Sequence, residues 1–309
     1  MTGVGLVIPT GIGVAEAWKN ICEGKSGIGP LTRFDAKDFE TRIAGQVKEF
    51  TPERYIEKKE IKKMDLFIQY ALAAAKEAME DAQLKITPEN SEQIGVIVGT
   101  GLGGLPTLEE THKVLLEKGP SRITPFFIPK LIANLAAGHI AIQYGAKGPN
   151  TCLVTACATG AHCIGDAFRA IQYGDAEAII AGGTEANITP LTIGGFNAMK
   201  ALSTRNDEPE KASRPFEKNR TGFVVSEGAG ILILEELEFA RKRGAKIYGE
   251  VVGYGYTGDA YHIAAPSPDG DGAIRCMRMA SGMRGSEQRT LTPSMLMERP
   301  PFSMTPQRR

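Results

Sequence analysis

The chain contains 309 residues, with 36 lysines and arginines against 36 aspartates and glutamates, and is long enough for one large domain or two ordinary ones. The balanced charge argues against a nucleic-acid partner, and no apolar stretch approaches the roughly twenty residues that cross a bilayer. The five cysteines form an odd set without a CxxC pair, which argues against a disulfide framework and a zinc site. No signal-peptide pattern follows Met1. Together these features predict a soluble cytoplasmic protein that binds no membrane, metal or other cofactor.

Apolar periodicity predicts helices and strands that alternate along the chain. The predicted helices are Val14–Cys22, Met64–Leu84 and Leu131–Tyr144. The predicted buried strands are Ile94–Val98, Glu177–Ala181 and Gly230–Leu234. Alternation of this kind predicts an α/β fold in which helices cover at least one sheet.

A glycine-rich segment, Gly99-Thr-Gly-Leu-Gly-Gly104, follows the first of these predicted strands. Loops of this composition can bind phosphate through their backbone N–H groups. The chain offers no acidic partner at the distance that a dinucleotide-binding site requires. A phosphate site at this loop therefore stays open as an alternative.

Cys157 is the candidate catalytic residue. It lies between a β-favouring run, Thr151 to Thr155, and a helical pattern that begins near Ala161. A cysteine in such a turn lies beside free backbone N–H groups and the positive end of the helix dipole, and both favour the nucleophilic thiolate. The small neighbours Ala156 and Ala158 let a substrate carbonyl approach the sulfur. A lone cysteine is more often a buried apolar residue, but this turn favours a nucleophile.

Five further patterns belong together. They are Thr155-Ala-Cys-Ala-Thr-Gly160, Gly182-Gly-Thr-Glu-Ala186, Gly195-Phe-Asn-Ala-Met-Lys-Ala-Leu-Ser-Thr-Arg-Asn-Asp207, Ser213-Arg-Pro-Phe216 and Glu227-Gly-Ala-Gly230. Between Thr2 and about Ala280 the chain resembles the β-ketoacyl-acyl carrier protein synthases, most closely the type II enzymes of bacterial fatty-acid elongation. The resemblance implies a thiolase-like layered αβαβα fold. It places the N-terminal half at residues 1–247 and the start of the C-terminal half at 248–280, with the rest of that half largely missing.

The resemblance implies an acyltransferase that performs a decarboxylative Claisen condensation. An acyl group moves from acyl carrier protein onto Cys157, malonyl-acyl carrier protein loses carbon dioxide, and the resulting carbanion attacks the thioester. The backbone N–H of Cys157 is expected to donate to the oxyanion. Phe196 is expected near the acyl pocket, with an ordinary core aromatic as the alternative. The expected partner is acyl carrier protein, with Lys63, Arg122 and Lys130 as candidate contacts or plain surface charges, and the expected assembly is a homodimer.

Histidines are the main departure from the family pattern. Synthases of this family place two histidines where enolate charge develops on the malonyl thioester. The four histidines of this chain are His112, His139, His162 and His262, and none stands in the family's His-Gly-Thr-Ser-Thr motif or its second histidine motif. The family's lysine and the loop with the second oxyanion donor are not found either. We therefore expect this chain to lack the decarboxylating step.

Residues 281–309 are rich in Arg, Met, Pro and Ser without periodicity, and predict an aberrant, disordered tail. In another reading frame, the codons for Ser294-Met-Leu-Met-Glu-Arg-Pro-Pro301 can encode Asn-Ala-His-Gly-Thr-Ser-Thr, because Met297 before a glutamate forces a glycine codon. This predicts a frameshift between about Ala280 and Gln288, in the gene or in its sequencing. An unrelated tail is the alternative, and resequencing distinguishes the two.

The beginning of the chain carries a similar expectation. By resemblance, Thr2 to Val7 corresponds to the turn after the family's first strand. This predicts that the first strand is missing, and that the chain exposes apolar surface and is poorly soluble.

Two further functions stay open. The chain could be an inactive truncated synthase that acts only as an acyl- or partner-binding protein, either keeping Cys157 as an acyl acceptor or merely dimerising. A cysteine hydrolase on an α/β sheet is the other alternative, although the expected order of Asp and His is not found. Acylation of Cys157 by an activated acyl donor distinguishes an acyl acceptor from a chain that only dimerises.

Overall fold

The computed structural model describes residues 1–283, so the predicted tail beyond residue 283 and most of the predicted frameshift lie outside the described residues. The strands are β1 Gly3–Ile8, β2 Gly11–Ile12, β3 Ile28–Pro30, β4 Ile43–Gly45, β5 Ile94–Gly99, β6 Asn150–Thr151, β7 Ala178–Glu185 and β8 Gly228–Glu235. The helices are α1 Val14–Cys22, α2 Lys58–Ile61, α3 Leu66–Ala82, α4 Leu105–Lys118, α5 Phe127–Leu131, α6 Leu135–Tyr144, α7 Thr159–Tyr173, α8 Pro190–Ala198, α9 Leu237–Lys242 and α10 Asp271–Met283.

A mixed six-stranded sheet with the order β2-β1-β8-β7-β5-β6 forms the centre of the fold. Strands β5, β6 and β7 are parallel, and β8 runs antiparallel to both β7 and β1. Side chains alternate between the two faces of a strand. Val98 packs in the cluster under α3, whereas the next residue, Gly99, faces α7, so the two helices cover opposite faces. This confirms the predicted α/β fold with a sheet covered by helices.

Helix α3 packs directly on the backbone of β1. A β-carbon at Gly3 would lie 2.2 Å from the carbonyl oxygen of Ala78, and one at Gly5 would lie 1.9 Å from that of Ala74. Only glycine leaves room for this approach. The expectation of a turn from Thr2 to Val7 is therefore wrong. These residues belong to a strand, and the glycines that suggested a turn provide close helix packing.

Two carboxylates one helical turn apart on α3 accept hydrogen bonds from backbone N–H groups at the open edge of β1. Asp81 accepts a hydrogen bond from the backbone N–H of Val4 at 3.0 Å, and Glu77 accepts one from that of Leu6 at 2.9 Å. Glu77 also accepts the N–H of Val14 at 2.6 Å, at the start of α1. Strand β2 pairs only with the last two residues of β1, so these carboxylates replace a neighbouring strand and protect the edge.

The main apolar core lies between α3 and the central sheet. Its largest fully buried members include Phe67, Tyr70, Ile180 and Ile233. A smaller apolar cluster includes Ile193 of α8 and residues from other parts of the chain. Its members are Ala44, Ile188, Ile193, Leu202 and Val225, with Phe39, Phe196 and Phe223 packed against it.

The chain divides into two compact units. Among the described residues, the first unit contains residues 1–213 and 221–249, and the second contains residues 214–220 and 250–283. In the second unit α10 lies close to the segment before it, because a β-carbon at Gly253 would lie 2.0 Å from the carbonyl oxygen of Ala280. The domain boundaries predicted from the resemblance, after residues 247 and 280, stay predictions.

One predicted helix is interrupted. The pattern from Leu131 to Tyr144 forms the end of α5 and the whole of α6, because Ile132 between them is extended. The carbonyl of Leu131 accepts the N–H of Gly104 at 3.0 Å, from the glycine-rich loop, instead of continuing a helix. The prediction of one continuous helix is therefore wrong, and a long-range backbone contact is the reason.

Candidate active site at the Cys157 turn

The chain reaches Cys157 from the edge of the central sheet. Strand β6 pairs in parallel with β5 at Asn150 and Thr151 only, so the predicted strand to Thr155 is shorter than expected. After β6 the chain passes through a single 3-10 turn, Ala156–Ala158, and enters α7. The predicted turn before a helix is thus present, with the cysteine in the middle of it.

The turn is held by local hydrogen bonds and contains a strained residue. The carbonyl of Thr155 accepts the N–H of Ala158 at 3.2 Å, and the N–H of Thr155 donates to Thr159 Oγ1 at 2.8 Å. Thr155 Oγ1 lies 2.7 Å from His162 Nδ1. Ala156, directly before the cysteine, has a φ of 50°, a left-handed conformation that costs a non-glycine residue about 1–3 kcal/mol. Strain of this kind typically occurs at functional sites.

The three cysteines around this turn differ in exposure. Cys157 is exposed, Cys152 is partly buried and Cys163, on the first turns of α7, is buried. Burial raises the pKa of Cys152 above its ordinary value and raises that of Cys163 to about 11. Both thiols therefore stay protonated at neutral pH, and Cys157 is the member of the trio that a substrate can reach.

Glycines let α7 and its turn lie close to the sheet. A β-carbon at Gly99, the last residue of β5, would lie 2.3 Å from the carbonyl oxygen of Leu153 and 2.4 Å from Thr159 Cγ2. A β-carbon at Gly183 of β7 would lie 3.1 Å from the Cα of Gly160. Gly99 and Gly183 are also paired across the sheet. The Cys157 turn is thus set against the carboxyl ends of two parallel strands, where α/β proteins commonly place their sites.

Glu185, at the end of β7, binds the glycine-rich loop. Its Oε1 accepts a hydrogen bond from the hydroxyl of Thr100 at 2.8 Å, and its Oε2 accepts one from the backbone N–H of Gly101 at 2.8 Å. A carboxylate that occupies a loop N–H excludes an anion from the same position by charge repulsion. The phosphate-binding alternative for Gly99 to Gly104 is therefore not supported. Glu185 is part of the pattern Gly182-Gly-Thr-Glu-Ala186, but the loop that it contacts lies too far away in the chain for the contact to be predicted from that pattern.

The second predicted site residue lies elsewhere in the same unit. Phe196 is on α8, partly buried, with its ring centroid 5.1 Å from that of Phe223 in an edge-to-face arrangement. It packs against the smaller apolar cluster. Its expected place beside the acyl pocket stays a prediction.

Residues 1–283 contain no group of three His, Cys, Asp or Glu side chains placed to hold a metal ion. None of the helices in this part of the chain is long and apolar enough to span a bilayer.

A mixed sheet with helices on both faces and an exposed cysteine ahead of α7 are typical of an α/β enzyme, with Cys157 as the candidate nucleophile. Residues 1–240 match the β-ketoacyl synthase N-terminal domain family. The chain is 56% identical over 280 residues to 3-oxoacyl-[acyl-carrier-protein] synthase 2 of Synechocystis sp., covering 91% of this chain and 67% of the relative. It is 53% identical over 280 residues to the Vibrio harveyi protein of the same name, covering 91% of this chain and 68% of that one.

Solved structures agree with the sequence relatives. The ishigamide ketosynthase/chain length factor has a TM-score of 0.84 at 34% identity, covering 93% of this chain and 70% of that chain. A ketosynthase solved in complex with its type II polyketide synthase acyl carrier protein has a TM-score of 0.81 at 36% identity, with the same coverage. The chain therefore belongs to the β-ketoacyl synthase family and has its thiolase-type fold. It spans about two thirds of the length of the sequence relatives.

Proposed function

We propose that this chain acts as a β-ketoacyl-acyl carrier protein synthase of the type II kind, in bacterial fatty-acid elongation, with Cys157 as the acyl acceptor. The observation that carries the proposal is the exposed thiol directly after the strained Ala156 and at the start of α7. The family membership supports the same reaction class.

The first half-reaction follows from this geometry. The sulfur of Cys157 attacks the carbonyl carbon of an acyl thioester, and the C–S bond to the carrier breaks. The carrier thiolate leaves and takes up a proton, and the acyl group stays on the enzyme as a new thioester. The N–H of Cys157 donates to the carbonyl oxygen while it carries negative charge. The Cys157 thiol gives up its proton on attack, which balances the proton that the carrier thiolate takes up.

The second half-reaction distinguishes the two candidate functions. Condensation requires donors for the malonyl enolate, and three of the four histidines have other surroundings. His139 is half-buried on α6 with a pKa lowered by burial, His162 bonds Thr155, and His262 Nδ1 accepts two backbone N–H groups. Both candidate functions include uptake of an acyl group; the proposed synthase also condenses it with malonyl-acyl carrier protein, and the alternative is an inactive truncated synthase that binds acyl groups or a partner without condensation.

Incubation with an acyl thioester tests the proposal. We expect the mass of the protein to increase by one acyl group, located on the peptide that contains Cys157. Addition of malonyl-acyl carrier protein then distinguishes a complete synthase, which releases carbon dioxide and a β-ketoacyl product, from an acyl-binding protein, which does neither. A chain that takes up no acyl group contradicts both functions.

We propose that Phe196 contributes to the acyl pocket. Its edge-to-face partner Phe223 offers a matched control, because both rings pack against the same cluster. Phe196→Leu is expected to change the relative acylation rates of short and long acyl thioesters by about tenfold, since one or two lost apolar contacts are worth 1–3 kcal/mol. Phe223→Leu should leave that ratio unchanged. Equal ratios in both variants would make Phe196 an ordinary core residue.

We propose that acyl carrier protein docks on the basic surface near Arg122. Arg122 and Lys118 line a surface groove at the end of α4, and Lys130 lies on the neighbouring α5. Lys63 donates to Glu60 at 2.7 Å, so its charge is already engaged. Arg122→Glu is expected to raise the KM for acyl carrier protein by about five- to tenfold. The KM for a small acyl thioester, which needs no docking surface, should not change.

We further propose a cytoplasmic homodimer. Leu116 of α4, Ile128 of α5 and Ile142 of α6 are 74%, 55% and 78% exposed, and β6 is an edge of the central sheet. Val154, in the turn after that edge, is also 55% exposed. An open edge beside exposed apolar side chains fits a second copy of the same surface. Sedimentation at the mass of a single chain would contradict this.

A further inference from the structure

The carboxylate of Glu185 connects the glycine-rich loop to the turn that carries the nucleophile. A β-carbon at Gly101 would lie 2.7 Å from Glu185 Oε2 and 3.9 Å from both the Cα and the carbonyl oxygen of Ala156. Gly101 is therefore close both to the carboxylate, which accepts its N–H, and to the strained residue before Cys157. Through this hydrogen bond Glu185 holds a loop residue that neighbours Ala156.

Keeping this carboxylate in place has an energetic cost. Burial raises the pKa of Glu185 above its ordinary value, although hydrogen bonds from Thr100, Gly101, Leu102 and Ala186 lower it in part. Loss of the charge would remove acceptor capacity that these donors use. A partly buried carboxylate with a raised pKa destabilises the folded state. Groups of this kind are commonly retained for function.

Asn187, two residues after Glu185, is also held in place at an energetic cost. Asn187 is buried, and its Nδ2 donates to Glu185 Oε1. Its own Oδ1 has no hydrogen-bond partner within the described part of the chain. A buried carbonyl without a donor costs about 1–3 kcal/mol. Glu185 thus accepts hydrogen bonds from Thr100 and Gly101, which follow β5, and from Asn187, which follows β7, while Oδ1 of Asn187 is left without a donor.

We propose that Glu185 is a positioning residue for acyl transfer: it holds Thr100 and Gly101 against Ala156 and thereby sets the direction of the Cys157 N–H. The left-handed conformation of Ala156 orients the peptide group between Ala156 and Cys157, and that peptide carries the oxyanion donor. A donor must point at the place where charge develops to stabilise it. This inference rests on the proposed acyl-transfer function and assigns that reaction one further residue.

Glu185→Gln tests the inference without changing the shape of the side chain. Glutamine has one acceptor oxygen where the carboxylate has two, so it cannot accept from Gly101 at one position and from Thr100 and Asn187 at the other, and the arrangement that holds the loop is lost. We expect the rate of acylation of Cys157 by an acyl thioester to fall by about ten- to a hundredfold, with KM nearly unchanged. Alkylation of Cys157 by iodoacetamide needs the thiol but no oxyanion donor, and its rate should stay within about twofold.

A second variant and a matched control complete the experiment. Thr100→Val removes one donor to Glu185 Oε1 and should give a smaller decrease of the same kind. Asp65→Asn removes another buried carboxylate, whose pKa is also raised by burial and which binds Thr107 on α4. It should leave acylation per folded molecule unchanged.

The outcomes separate the inference from the function on which it rests. Wild-type protein that is alkylated at Cys157 but never acylated overturns the proposed function, and this inference with it. Wild-type protein that is acylated, with Glu185→Gln acylated equally fast, overturns the role of Glu185 alone. Parallel loss of acylation and alkylation in Glu185→Gln would show a general structural role and also overturn it.

Discussion

A Cys157→Ala protein is expected to take up no acyl group from an acyl thioester, whereas the wild-type chain gains one. The physical reason is the difference among the three nearby thiols. Cys157 is exposed, while burial holds the pKa of Cys163 at about 11 and keeps that thiol protonated. Removal of a nucleophile that acts with its surroundings typically lowers a rate by a thousandfold or more. Intact-mass spectrometry after a timed incubation measures the effect.

Cys22 supplies the matched control, because it is also an exposed cysteine but lies at the C-terminal end of a helix, α1. Cys22→Ala should take up the acyl group at the wild-type rate. If Cys157→Ala were acylated normally while Cys22→Ala was not, the reactive thiol would be the wrong one and the site assignment would fail.

Glu235→Gln is expected to lower the free energy of unfolding by about 3 kcal/mol, because it breaks a buried ion pair and leaves an unpaired cation. The side chain of Glu235 is fully buried, and its two oxygens bind Arg243 at 2.7 and 2.5 Å. Arg243 also donates to the carbonyls of Ala82 at 2.8 Å and Gln83 at 3.3 Å. The pair therefore joins the end of β8 to the C-terminus of α3, where a cation is favoured by the helix dipole.

The control is an exposed pair a few residues away. Glu238 binds Arg241 at 2.7 Å, with both side chains more than half exposed. Glu238→Gln should change the free energy of unfolding by at most about 0.5 kcal/mol, since surface ion pairs are screened by water. Urea unfolding at neutral pH measures both variants. Equal effects would mean that burial does not strengthen the Glu235 pair.

The sequence allowed the site to be located because its signal is local. Helix α1 begins and ends where periodicity placed it, β5 and β8 contain the predicted apolar runs, and β7 contains the predicted run except for Glu177. The turn before α7 was predicted from the order of a β-favouring run, small residues and a helical pattern around Cys157. Each of these patterns reflects the conformational preference of neighbouring residues, so no tertiary information was needed.

Other features escaped because they depend on distant partners. Gly3 and Gly5 suggested a turn, but their role is to admit α3, which lies about seventy residues later in the chain. Similarly, the break after Leu131 depends on a hydrogen bond from Gly104. Glycine spacing alone does not distinguish a turn from a close contact.

By itself, the sequence determined the class of fold and the family and predicted Cys157 as the reactive cysteine, because periodicity and short motifs are read along the chain. The tertiary structure decided which thiol is exposed and that Ala156 is strained. It also decided that the carboxylate of Glu185 binds the glycine-rich loop. Burial and hydrogen bonding join residues far apart in the chain. Only the packed arrangement of β5, β7 and α7 brings those residues together.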